Sequence, residues 1–196
     1  MKTDILAKIE EEIFDSIDRY KSILTFPRTN KTLTKNIEDI IVLVNNNKEI
    51  SRSNLNQKFI ENYNTSINTV RTIRPTLEKA NLLMTVDEKV KITKMASEYL
   101  VSKDVGYLSK GFIYNYYGFL EILYLVHKKK PQKRSDILEE WVELFEEEFG
   151  KRSLNTNKLQ FYKIFKMLEG FNYIILSEKK MDLNIDAFLH LENIEI

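Results

Sequence analysis

Asn68, Thr69, Arg71, Thr72 and Arg74 crowd one short stretch of the chain, and each is a side chain able to read the edge of a nucleotide base. Arginine offers paired donors that match guanine, asparagine matches adenine, and threonine brings a hydroxyl and a methyl group. Val70, Ile73 and Leu77 are interleaved with them at the spacing of one helix face. The stretch predicts a helix that buries an apolar stripe and turns its polar groups outward. A second set of cations, Arg52, Lys58, Lys89 and Lys91, suits phosphate contact rather than base reading. Further along, Arg152, Lys158 and Lys163 are predicted to add backbone contacts.

These residues need elements to hold them. Ile37, Ile40, Ile41 and Val44 predict a helix that breaks at Asn45-Asn46-Asn47. A short helix starting at Ser51 or Ser53 would bury Leu55, Phe59 and Ile60. Asn64-Thr65-Ser66 supplies capping groups for the base-reading helix. Pro75 lies inside that helix and is expected to bend or break it near Arg74, because proline lacks an amide donor. Leu82–Val86 and Lys89–Thr93 read as two strands around Asp87-Glu88, and Met95–Val101 as a closing helix. Before all this, residues 4–24 read as one amphipathic helix with Ile5, Leu6, Ile9, Ile13, Ile17, Tyr20 and Leu24 on one side, ended by Phe26-Pro27. It would cover its own module or pair with a second copy.

After a joint at residues 102–110 the order of elements returns. Phe112–Val126 predicts an apolar helix, and Ser135 or Asp136 caps another that runs to Phe149 around Trp141 and Phe145. Asn155-Thr156-Asn157 opens a third, ended by Gly170, and Tyr173–Leu176 with Met181–Asn184 form a second hairpin. The alternative is one irregular helical bundle with hairpins. The predicted fold class is mainly α with small β-hairpin wings, as an N-terminal helix over 1–30, one module over 31–104 and another over 105–196.

Composition excludes several classes. The chain has 196 residues, 43% of them hydrophobic and 30% charged, which describes a globular protein. With 5 glycines and 3 prolines, an all-β fold with many turns is not expected. The absence of cysteine removes disulfides and Cys-type zinc sites and fits a reducing compartment. No apolar run reaches the roughly 20 residues of a membrane helix, and the start Met1-Lys2-Thr3-Asp4 is no signal peptide. A cytoplasmic address without membrane contact is expected. Net charge is +1, so nucleic-acid binding must rest on local patches. Residues 31–104 hold 12 Lys/Arg against 9 Asp/Glu, whereas 105–196 hold 13 against 14.

The second half sends mixed signals. Lys128–Arg134 is a basic loop, yet Glu139, Glu140, Glu143, Glu146, Glu147 and Glu148 would repel phosphates. Either that face points away from nucleic acid or the module holds a protein. Catalysis is poorly supported: His127 and His190 are far apart, and no phosphate loop, GxSxG or HExxH occurs. Glu178-Lys179-Lys180 matches part of a nuclease site at a length expected by chance. No cofactor, metal ligand or catalytic residue is assigned.

The run Ser66–Leu83 resembles the recognition helix and first wing strand of the winged-helix superfamily, and Lys91–Leu100 is similar to the strand, turn and closing helix of the same modules. Pro75 and Ala80-Asn81 depart from that pattern. The resemblance covers 31–104 well and 110–185 loosely, and it implies two winged-helix modules in tandem. One implied setting is DNA recognition, as in restriction endonucleases, transcription regulation or small phage and plasmid regulators. The other is an adaptor, like the tandem winged-helix partners of SMC complexes. The expected partner is double-stranded DNA, read in the major groove by the third helix. The alternatives are a protein partner, or a homodimer joined through the N-terminal helix.

Overall fold

The computed structural model describes residues 4–15, 19–21, 26 and 31–194. In chain order its helices and strands are α1 (Ile5–Asp15), α2 (Leu33–Asn46), β1 (Ile50–Ser51), α3 (Arg52–Tyr63), α4 (Ile67–Lys79), β2 (Leu83–Val86), β3 (Lys89–Ile92), α5 (Lys94–Ser102) and α6 (Val105–Asn115). They continue with α7 (Phe119–Lys129), a 3-10 turn (Arg134–Ile137), α8 (Leu138–Phe149), α9 (Leu154–Gly170), β4 (Ile174–Leu176), β5 (Met181–Leu183) and α10 (Ile185–Glu192). The protein is mainly α with small antiparallel hairpins. Among the described residues no helix is long and apolar enough to cross a membrane.

Two compact units divide the chain between Phe112 and Ile113, inside α6, and α1 belongs with the later one. The segment 102–110, expected as a joint, is mostly helical. Lys103 closes α5 in the left-handed conformation, and Asp104 at once accepts the Gly106 amide at 2.9 Å to start α6.

The first unit runs from α2 to Phe112 and takes in Ile194 from the far end of the chain. Its sheet has the order β1-β3-β2, with Leu83 opposite Ile92 and Ile50 opposite Val90. Asp87 and Glu88 both take positive φ, as a tight two-residue hairpin requires. The core gathers Ile37, Ile41, Phe59, Ile73, Leu77 and Val90, each fully buried. α4 is continuous across Pro75, contrary to the expected break. Proline removes only its own amide, and the buried Thr76 hydroxyl donates to the Thr72 carbonyl, tying the two turns together.

The second unit packs α1 along α7, with Ile5 and Ile9 buried. Of the helix predicted over 4–24 the structure describes Ile5–Asp15 as helical, with Ile17 and Leu24 outside the described residues. Tyr20 is in extended backbone instead: its amide donates to Asn115 at 2.8 Å and its carbonyl accepts from Tyr117 at 3.1 Å. The helix expected over 112–126 is split at Gly118, whose φ of +103° only glycine adopts readily. Trp141, Phe145, Phe161 and Phe165 form an aromatic core beneath α7, α8 and α9. α10, which carried no strong sequence signal, buries Phe188 and Leu191.

One plan is written twice. Ser66-Ile67-Asn68-Thr69 opens α4 and Ser153-Leu154-Asn155-Thr156 opens α9; in each, the serine Oγ accepts the threonine amide at 3.3 Å. The two helices end alike, with left-handed Asn81 and Asn172 following Glu78 and Glu169 at the same spacing. Thr93 then caps α5 and donates to the Asn81 carbonyl at 2.6 Å, while Asn184 caps α10 and donates to the Asn172 carbonyl at 2.9 Å. The hairpins share a register: Leu83 faces Ile92 as Ile174 faces Leu183.

Candidate nucleic-acid interface

α3 and α4 meet at a tight turn. Asn64 takes the left-handed conformation and Ser66 caps α4. This forces Val70, Ile73 and Leu77 inward and leaves Asn68, Arg71 and Thr72 on the opposite, exposed side, one helical turn apart. Arg71 makes no side-chain hydrogen bond or ion pair with the described residues. Asn68 is likewise free. Thr69 is half-buried, its hydroxyl 3.1 Å from Ser66 Oγ, so it serves the cap. The Thr72 hydroxyl donates to the Thr69 carbonyl at 2.7 Å. Pro75 leaves the Arg71 carbonyl without its usual amide partner, adding one acceptor to this face.

Arg74 does not join them. Its Nη1 donates to both Glu78 carboxylate oxygens, at 2.7 and 2.6 Å, and the Thr85 hydroxyl donates to the same carboxylate. The guanidinium thus fastens α4 to β2. Glu78 lies one turn on, so the pair follows from helical spacing.

The phosphate-contact set is also largely engaged. Lys89 and Lys91 converge on Glu49, each at 2.7 Å, and their hydrogen bonds, that from Lys89 foremost, lower the Glu49 carboxyl to about 2. Arg52 pairs with Glu88 at 3.1 Å. The wing tip, Asp87-Glu88, is exposed and acidic. Lys58, half-buried on α3, and Lys94, exposed at the start of α5, carry no such partner among the described residues. The sequence groups Lys94 with Lys89 and Lys91 as a cation able to reach a flanking groove or backbone, and only the fold shows that it differs from them in lacking an ion partner among the described residues.

In the second unit Lys158 is half-buried and Lys163 exposed on α9, both without ion partners among the described residues, while the Arg152 guanidinium sits 5.5 Å from the Phe145 ring centre. α8 presents Glu139, Glu143 and Glu147 outward. His127 closes α7, its Nδ1 2.7 Å from Asp182 Oδ1 on β5. A cleft of about 790 Å³ between α1, α7 and α8 has three of its polar groups spent on the fold: Glu121 on Arg19, Glu10 on Tyr124, and the Tyr117 hydroxyl on the Leu144 carbonyl.

Comparison of the chain with family models, with curated proteins and with solved structures returned no match.

Proposed function

We propose that the chain is a non-catalytic double-stranded DNA-binding protein acting in the cytoplasm, with α4 as its groove-reading helix. The observation that carries this reading is the unpaired Arg71 guanidinium, flanked by exposed Asn68 and Thr72 on a helix otherwise anchored in the core. The helix–strand–helix–helix–hairpin order of the first unit supports it, since winged-helix modules share that order and set their third helix in the major groove. Arg71 is then the base-reading residue and Asn68 its neighbour in the groove, with Thr72 supplying a methyl. Lys58 and Lys94 hold phosphates. Arg74 positions the wing.

A gel-shift titration of random-sequence duplex against salt tests this. Affinity is expected to fall steeply with salt, by a slope of about 0.9 per phosphate engaged. Arg71→Ala is expected to weaken binding to the preferred duplex about five- to a hundredfold, the value of one bidentate base contact, while Arg74→Ala changes it much less. Binding indifferent to Arg71→Ala, or flat in salt, rejects the reading.

The wing supplies a second expected result. Glu49→Gln releases Lys89 and Lys91 and removes a negative charge. Duplex affinity is expected to rise severalfold, and the salt slope to steepen by about one to two. Unchanged affinity would place the wing away from the duplex.

The adaptor reading has its own support in the second unit, where α9 exposes Leu159 and Tyr162 and α8 carries the outward glutamates.

A further inference from the structure

The cleft of about 790 Å³ in the second unit, between α1, α7 and α8, is of a size that takes a small organic molecule. Its walls are largely aromatic: Phe14, Tyr117, Tyr124 and Phe149 all line it. Phe14 is 85% exposed, so its ring stands at the cleft without serving the core. Three carboxylates, Glu10, Glu121 and Glu148, share the lining with one cation, Arg19. Arg19 is matched by Glu121 at 2.5 Å, and the other two negative charges remain. Glu10 takes a hydrogen bond from the Tyr124 hydroxyl, which is neutral and cancels nothing. Glu148 is exposed and has no ion partner among the described residues. The field is felt inside the cleft: the Tyr117 hydroxyl is pushed up by burial first and then by Glu121, with Glu148 and Glu147 adding to it against Arg19.

Negative charge beside aromatic faces is the environment that holds an organic cation. The chain's own ammonium groups already settle on these rings. Lys21 Nζ lies 5.8 Å from the Phe149 ring centre and Lys128 Nζ 5.1 Å from that of Tyr124. Both lysines are exposed, so a ligand displaces them into water at little cost. An anion would be repelled by Glu10 and Glu148. A neutral apolar molecule would strip water from those carboxylates and return nothing.

We propose that this cleft binds a small organic cation, an ammonium group carried on an apolar body, with its charge towards Glu10 and Glu148 and its body against Phe14 and Phe149. The residues all belong to the second unit, so the proposal stands whether or not the first unit binds DNA.

Titration of the isotope-labelled full chain with benzyltrimethylammonium, followed by amide NMR, tests it. Benzyl alcohol is the uncharged comparison and benzoate the anionic one. Saturable shifts are expected at the amides of Phe14, Tyr117, Tyr124 and Phe149, with affinity about fivefold or more above that of benzyl alcohol. Glu10→Gln combined with Glu148→Gln is expected to erase that preference and to leave benzyl alcohol binding unchanged, because glutamine keeps the shape and removes the charge. Phe14→Ala, at an exposed position, is expected to weaken benzyltrimethylammonium severalfold while the amide spectrum outside the cleft stays in place. The absence of a saturable shift up to about 10 millimolar overturns the proposal. So does benzyl alcohol or benzoate binding as tightly, a shift pattern centred elsewhere in the chain, or a preference that survives the double variant. Arg71→Ala leaves the titration unchanged, which separates this result from failure of the DNA reading.

Discussion

Glu121→Ala is expected to cost about 3–5 kcal/mol of stability in the second unit, the usual penalty for stripping one partner from a buried ion pair. Glu121 Oε1 lies 2.5 Å from Arg19 Nη2, and the two side chains are only 4% and 7% exposed. Its other oxygen accepts the Gly118 amide at 2.7 Å, at the start of α7. Alanine therefore leaves both a guanidinium and an amide without their acceptor, and each loss carries its own desolvation penalty. The same guanidinium rests 4.9 Å from the Tyr117 ring centre, so it is held from several sides. Urea unfolding measures the effect. Glu121→Gln is expected to be milder, because its amide oxygen still receives Gly118. Pairing Glu121→Leu with Arg19→Met is expected to recover much of the loss, since two apolar groups need no counter-charge. A single variant that costs under about 1 kcal/mol would mean the pair is solvated.

Gly111→Ala is expected to destabilise the first unit by about 3 kcal/mol or more, at the upper end of overpacking. A Cβ at Gly111 would stand 1.9 Å from the carbonyl oxygen of Ala80 and 2.4 Å from its carbon. Those are backbone atoms of the α4 cap, and they cannot rotate away. The gain of about 1 kcal/mol that alanine brings to a helix interior is too small to offset this. Gly106 offers the contrast. There a Cβ would come 2.2 Å from Ile194 Cδ1, the far end of a flexible side chain, so Gly106→Ala is expected to be mild. Equal melting shifts for the two variants would refute the close helix approach.

Apolar periodicity carried most of the fold. α2, α4, α5, α8 and the two hairpins lie where Ile37, Val70, Met95, Trp141 and Tyr173 placed them, because a one-sided stripe leaves a helix or strand few ways to bury itself. Pro75 misled, since a single missing amide is tolerated where core packing and Thr76 hold the helix. Gly118 misled in the other direction: the apolar run around it is unbroken, and its positive φ, together with the pairing of Tyr20 to Asn115 and Tyr117, splits α6 from α7. The candidate interface was half legible. Asn68 and Arg71 are exposed as their helical phase requires. The pairing of Lys89 with Glu49 spans 40 residues and arises only when β1 joins β3, so no local pattern announces it. Arg74–Glu78 was readable from spacing, and base-reading chemistry was assigned to it instead.

The second unit is split in the chain: α1 precedes the first unit, and α7–α10 follow all of it but Ile194. On the ribosome α1 emerges with its apolar side uncovered and waits while α2–α6 are made. The strands of the first unit are contiguous and can close during that wait. Only when α7 appears does Ile9 find its pocket and Arg19 its carboxylate. The last helical repeat to be translated is therefore also the one that retrieves the start of the chain. Synthesis halted before α7 would release a fragment whose first unit lacks only Ile194, with an unclaimed greasy leader, a ready substrate for chaperones and proteases.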